Sequence, residues 1–131
     1  MTEPRVPFGD PVTWPFWDGA SRRELLLQRC RKCRTFQFYP RLFCLACDTL
    51  SPEWVVAQGR GTVYAKTTVH ISVLEALQPP YDVGIVALDE GPRIVSNLIG
   101  SPAIGDAVRV VWRDRGTLPP LPIFVREDES D

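Results

Sequence analysis

The chain is short of several things that common enzymes need. It has a single histidine, His70, among 131 residues, which excludes chemistry that requires two histidines from one chain. No run of about 18 apolar residues is present to cross a membrane as a helix. The opening Met1-Thr2-Glu3-Pro4 carries no signal-peptide hydrophobic stretch, so a cytoplasmic protein is expected. There is no GxSxG elbow, P-loop or GxGxxG fingerprint, and Gly59-Arg60-Gly61 reads as a turn rather than a phosphate cradle. Asp89-Glu90 are adjacent acids at a turn tip, and read as solvated rather than as an acid/base pair. Internal repeats are missing, and the only biased tract is a proline-bearing arm at the start. A self-sufficient enzyme is therefore not the expectation.

An excess of either charge is also lacking. Fifteen basic and sixteen acidic residues leave a formal net charge of -1, and the hydrophobic fraction of 44% is that of a folded globular chain. The balance is uneven along the chain. Between Arg22 and Arg41 seven basic residues (Arg22, Arg23, Arg29, Arg31, Lys32, Arg34, Arg41) face one acid, Glu24, while the last five residues hold four acids. A local basic zone of this kind meets phosphate even on a neutral protein.

What the chain does have is a cysteine pattern. All four cysteines fall in eighteen residues as Cys30-x2-Cys33, ten residues, then Cys44-x2-Cys47. Each CxxC turn brings two thiolates to one side of a tight loop, and two facing turns make a tetrahedral all-sulfur site that suits zinc. A redox dithiol would need one pair only. Iron in a rubredoxin-like site uses the same four ligands, and the sequence leaves that choice open. Four cysteines close the coordination sphere, so the metal is read as structural. In a segment too small to bury a core, it supplies folding free energy on the order of 10 kcal/mol. Arg34 and Asp48 follow the two knuckles, where glycine often eases the turn.

The remaining chain reads as an arm and a run of strands. Residues 1–24 form an arm in which Pro4, Pro7, Pro11 and Pro15 interleave with Phe8, Trp14, Phe16 and Trp17. Its aromatics need cover, from the same chain or from a partner. Ser21–Arg29 is expected as a short helix entering an apolar strand that leads to Cys30. Residues 25–52 form the ribbon, with Thr35–Pro40 as a short strand and turn. Residues 53–131 form the barrel and an acidic tail. In it Thr62–Ile71 alternates, with His70 on the wetter face. A connection ends at Pro79-Pro80-Tyr81. Val83–Asp89 and Ile94–Ile99 flank a turn as a hairpin, Ala107–Arg113 alternates after Gly105-Asp106, and a short strand runs over Ile123–Arg126. Leu118–Pro122 reads as a linker or edge. Five short strands suggest a closed OB-fold barrel, making the whole mainly β.

Several stretches resemble the acyl-CoA-associated zinc-ribbon/OB-fold family, long described only as domain of unknown function thirty-five. They are Phe16-Trp17, the run Leu26 to Cys33, Tyr39-Pro40-Arg41, Cys44-Leu45-Ala46-Cys47, Gly59 to Tyr64, Pro79-Pro80-Tyr81, Leu88 to Arg93, and the Gly105-Asp106 turn with the strand after it. The resemblance implies a non-catalytic accessory subunit. Such a subunit accompanies a thiolase-fold enzyme, a retro-aldolase of steroid or lipid side-chain degradation, or an acyl-CoA hydratase, and contributes to acyl-CoA binding. On that reading Cys30, Cys33, Cys44 and Cys47 hold zinc. Arg29, Arg31, Lys32, Arg34, Arg41 and Arg60 are the candidates for coenzyme A phosphates, and Trp14, Phe16 and Trp17 for partner anchoring. The alternative is a single-stranded nucleic-acid-binding ribbon/OB protein. Against it stands a pI of about 5.8, where nucleic-acid domains usually lie above about 9.

Overall fold

In the computed structural model, residues 11–71 and 80–128 are described. The start of the arm with Phe8, the 72–79 part of the connection and the last three residues of the acidic tail lie outside them. The chain runs from a 3-10 turn (Pro11–Thr13) into helix α1 (Trp14–Ser21), then through eight strands. These are β1 (Leu26–Arg29), β2 (Phe36–Gln37), β3 (Glu53–Val56), β4 (Arg60–Val69), β5 (Tyr81–Leu88), β6 (Arg93–Ile99), β7 (Ala107–Arg115) and β8 (Leu118–Arg126).

The helix lies earlier than expected. It occupies the aromatic arm, with Pro15 in its first turn, where proline's missing N–H breaks no helical bond and its fixed φ suits the helix. Within Ser21–Arg29, Ser21 is the last residue of the helix, and Leu26–Arg29 is the expected apolar strand leading to Cys30, β1. Arg23 takes φ 60°, and the Arg22, Arg23 and Glu24 amides donate to the Gly19 and Ala20 carbonyls. Of the two readings of Leu118–Pro122, linker or edge, the structure takes the edge: the stretch belongs to β8. It pairs with β7 on one side, and β6 reaches β8 only at Ile123–Val125. Pro119, Pro120 and Pro122 thus stand where no ladder partner on the second side needs the N–H that proline lacks.

Two sheets result. β2-β1-β3 is a small antiparallel sheet, and β4-β5-β6-β8-β7 closes into a five-stranded barrel with the strand order of an OB-fold. β3 lies within residues 53–131, the segment read from sequence as barrel and tail. It pairs with β1 through Leu26↔Val56 to Arg29↔Glu53, on the edge opposite to β2. The barrel closes through the parallel β6–β8 pair, and a bulge between Val63 and Ala65 bends β4. That bulge breaks the strict alternation expected over Thr62–Ile71: Val63 is buried, whereas Thr67 on the same nominal face is exposed. His70 is exposed.

One continuous core serves all the parts. Phe16 from the helix, Leu25 and Leu27 beside or on β1, and Ala57 meet Val63, Val86, Leu88, Ile94, Leu98, Val108 and Phe124 of the barrel. Trp17, Phe36, Phe38 and Trp54 pack on its margin. Phe16 is therefore covered by its own chain and Trp17 partly so, with Phe16 edge-on to Trp17 at 5.0 Å and tilted against Phe38 at 5.4 Å.

Close strand contact makes one glycine obligatory. A Cβ on Gly61 would sit 2.5 Å from the Ala87 carbonyl oxygen, a backbone atom locked in the β4–β5 ladder. Gly61→Ala is expected to lower stability by about 1–3 kcal/mol, read as a reduced midpoint in urea unfolding with an unchanged slope.

Candidate metal centre and its surroundings

The two cysteine turns are built alike. In the first, Cys30 N–H donates to the Thr35 carbonyl at 2.9 Å and Arg34 N–H to the Cys30 carbonyl at 3.1 Å. In the second, Cys44 N–H donates to the Thr49 carbonyl at 2.9 Å and Asp48 N–H to the Cys44 carbonyl at 2.8 Å. Backbone amides aim at the leading sulfur in both, from Lys32 and Cys33 to Cys30 Sγ and from Ala46 to Cys44 Sγ, each at 3.3 Å. Threonine hydroxyls meet the trailing sulfurs, Thr35 at Cys33 and Thr49 at Cys47, both at 3.2 Å. Arg34 and Asp48 take φ 66° and 64°, the left-handed backbone that glycine usually fills at this position. The doubled Cys-x2-Cys-x-Thr spells this symmetry out.

The four sulfurs lie within 4.8 Å of one another. Across the two knuckles, Cys30 to Cys47 measures 3.5 Å and Cys33 to Cys44 3.6 Å. Tetrahedral sulfur at about 2.3 Å from zinc requires an edge of about 3.8 Å, so the donor set and its spacing fit a single tetrahedral ion. The protein also polarises the sulfurs unequally. Backbone N–H donation, chiefly from Cys33, holds the Cys30 thiol down at about 6, and the Thr35 hydroxyl lowers Cys33. Burial pushes Cys44 up to about 11.

Two glutamines missed in the sequence reading carry the second knuckle. Gln28 on β1 is buried, and its Nε2 donates to the Arg41 carbonyl at 2.7 Å. Its Oε1 accepts from Arg41 N–H and from Gln37 Nε2, both at 2.8 Å. Gln37 on β2 faces it in register, donates to the Phe43 carbonyl at 3.0 Å and accepts from Leu45 N–H at 3.1 Å. The two amides thus satisfy the backbone on both sides of the loop that delivers Cys44. The signal was present as a lone polar residue closing the apolar run Leu25-Leu26-Leu27-Gln28.

The basic zone is organised by a carboxylate. Glu53 pairs with Arg29 at 2.7 Å, Arg34 at 3.8 Å and Arg31 at 4.0 Å, and the Arg29 hydrogen bond holds its carboxyl below the ordinary value. Lys32 and Arg41 are exposed beside this group. Arg60 stands apart at the start of β4 and pairs with Glu127 at 3.2 Å. Of the expected partner anchors, Phe16 is 5% exposed and already occupied in the core, while Trp14 and Trp17 are half-buried. Large exposed apolar side chains cluster instead on the second knuckle, at Leu42, Phe43, Leu45 and Leu50.

An apolar groove of about 310 Å³ opens where helix, ribbon and barrel meet, lined by Phe16, Trp17, Phe38, Val83, Val95 and Pro122 among others. A second, more polar cavity of about 450 Å³ lies at the barrel mouth.

Two outcomes follow for the metal centre. Because the ion must displace protons from the thiols, with Cys44 still protonated at neutral pH, zinc loading is expected to release protons and to tighten as pH rises from 6 to 8. An indicator-dye titration in weak buffer reads both effects. Cys44→Ser is expected to lower bound metal well below one per chain by elemental analysis and to unfold the ribbon, seen as lost near-ultraviolet dichroism.

Two family profiles match the chain. Residues 17–53 match the rubredoxin-like zinc ribbon domain of ChsH2, and residues 54–113 its C-terminal OB-fold domain. A "probable enoyl-CoA hydratase alpha subunit" of Thermomonospora curvata is 35% identical over 123 residues, covering 88% of this chain and 39% of that protein. A "DUF35 domain-containing scaffold protein" of Methanocaldococcus jannaschii is 32% identical, covering 74% of each. The "3-oxo-4,17-pregnadiene-20-carboxyl-CoA hydratase alpha subunit" of Mycobacterium tuberculosis is 32% identical, covering 76% of this chain and 33% of that one. The chain thus spans well under half the length of the two hydratase subunits it matches. Among solved structures, the "Ltp2-ChsH2(DUF35) aldolase" superposes with a TM-score of 0.84 at 32% identity, covering 92% of this chain and 98% of that one. A DUF35 protein of Sulfolobus solfataricus shares the fold, with a TM-score of 0.67 at 15% identity, covering 94% and 90%. With ribbon and barrel both matched, and the architecture shared from helix to last strand, the chain belongs to the DUF35 family of zinc-ribbon/OB-fold proteins of the ChsH2 type.

Proposed function

We propose that this chain is an accessory subunit that takes zinc as a structural ion, binds a thiolase-fold or hydratase partner, and helps to hold that partner's acyl-CoA. The observation that carries this reading is the likeness, over nearly the whole chain, to the ChsH2 component of an aldolase whose other component is Ltp2. The hydratase subunit names of two relatives point to the same kind of assembly.

The chain's own chemistry supports a binding role. Four thiolates with a closed ion between them leave no open position for water or substrate. The apolar groove beside Trp17 and Phe38 suits an acyl chain, and the relatives' names make a steroid or lipid acyl group the class to try first. The partner supplies the catalytic groups. Exposed Lys32 and Arg41, with Arg31 and Arg34 sharing one carboxylate, leave a positive surface beside the metal for coenzyme A phosphates.

The test is affinity capture from the native cell, read by mass spectrometry at low and moderate salt. A thiolase-like or hydratase-like protein retained at both salts is expected, and retention is expected to be lost with Cys44→Ser. Capture of ribosomal or polymerase components that falls away as salt rises would overturn the reading in favour of nucleic acid.

A further inference from the structure

The apolar groove and the barrel-mouth cavity adjoin, since Tyr81 and Asn97 line both. The cavity also carries two opposite charges in opposite states of satisfaction. Asp82 is fully engaged: Thr68 Oγ1 donates to its Oδ1 at 2.8 Å, Ser101 Oγ donates to its Oδ2 at 3.2 Å, and Lys66 Nζ lies 3.7 Å from Oδ2. These contacts, the Thr68 hydroxyl first, hold its carboxyl below the ordinary value. Arg113 lines the same cavity, and its Nε–H is buried without an acceptor among the described residues. A buried, charged donor without an acceptor is costly, and guanidinium is best satisfied by the paired oxygens of a phosphate or carboxylate. With Asp82 already neutralised by Lys66, the unmet requirement of this cavity is an oxyanion.

We propose that Arg113 anchors an oxyanion-binding site at the barrel mouth. Together with the adjoining groove, it takes a ligand with an anionic head and an apolar body. For the apolar body this rests on the acyl-CoA reading given above. The oxyanion comes either from a phosphate of the carrier or from the carboxylate of a free acyl acid, and the chemistry at Arg113 is the same.

The test uses the full zinc-loaded chain, titrated by calorimetry with octanoyl-CoA, octanoyl-pantetheine (which has no phosphate) and octanoate. Wild type is expected to bind octanoyl-CoA or octanoate. Arg113→Gln is expected to weaken that binding about tenfold to a hundredfold, and Arg113→Lys, which keeps the charge but loses the fork, by less. If the head is a phosphate, octanoyl-pantetheine binds wild type as weakly as octanoyl-CoA binds Arg113→Gln. If it is a carboxylate, octanoate shows the Arg113 dependence and octanoyl-CoA does not bind. That second result supports the site while overturning the acyl-CoA reading. Equal octanoyl-CoA affinity in wild type and Arg113→Gln overturns the site and leaves the acyl-CoA reading standing. No binding of any of the three to wild type overturns both. Amide shifts in wild type, read by NMR, guard against a variant that misfolds. Ligand-induced shifts at Tyr81, Asn97 and Ser101 are expected, and shifts confined to the ribbon would overturn the site.

Discussion

The small β2-β1-β3 sheet and its two knuckles depend on four sulfurs being held within one coordination sphere. β2 has two residues and β1 four, far too little hydrogen bonding to persist alone in water. The knuckle that delivers Cys44 has few buried apolar groups, and its leucines face solvent. An ion of the kind the sulfurs fit links the two knuckles at the point where the hydrophobic effect has least to offer. The paired glutamines then pass that rigidity from the knuckle to β1, and Leu25 and Leu27 pass it to the barrel core.

That chain of dependence explains what could be read in the sequence. The cysteine spacing is a direct imprint of coordination geometry, so the metal ligands were legible without any fold. The barrel strands were legible because turn residues such as Glu90-Gly91 and Gly105-Asp106 punctuate apolar alternation. The helix was misplaced because proline was read as a breaker. At the first turn it is compatible with a helix, and the deciding factor was tertiary burial of Phe16. The Leu118–Pro122 stretch could be read only as a linker or an edge for a related reason. Proline is excluded from a strand only where its N–H is needed, and that depends on which edge stays unpaired. The bulge after Val63 left no mark in the alternation.

The charged residues were the least legible. Arg29, Arg31, Arg34 and Arg60 were grouped by nearness in sequence, but pairing in space divides them. Glu53, from a strand that sequence placed elsewhere, gathers three, and Glu127 takes the fourth. Composition gives the number of charges, whereas only the fold determines which of them remain unanswered. Arg113 illustrates the point. In sequence it is one more arginine alternating with Val110 and Trp112, and the lack of an acceptor for its Nε–H among the described residues becomes visible only when the barrel is closed around it.

The parallel pairing of β6 with β8 also carries a consequence in time. Synthesis proceeds from the N-terminus, so all four cysteines and the whole β2-β1-β3 sheet have been made once Val56 has emerged. The barrel cannot close until Ile123–Val125 exist to meet Asn97–Ile99. The ribosome therefore delivers a complete metal-binding module some seventy residues before its structural support. Every ligand for the metal is thus synthesised before the last strand that closes the barrel.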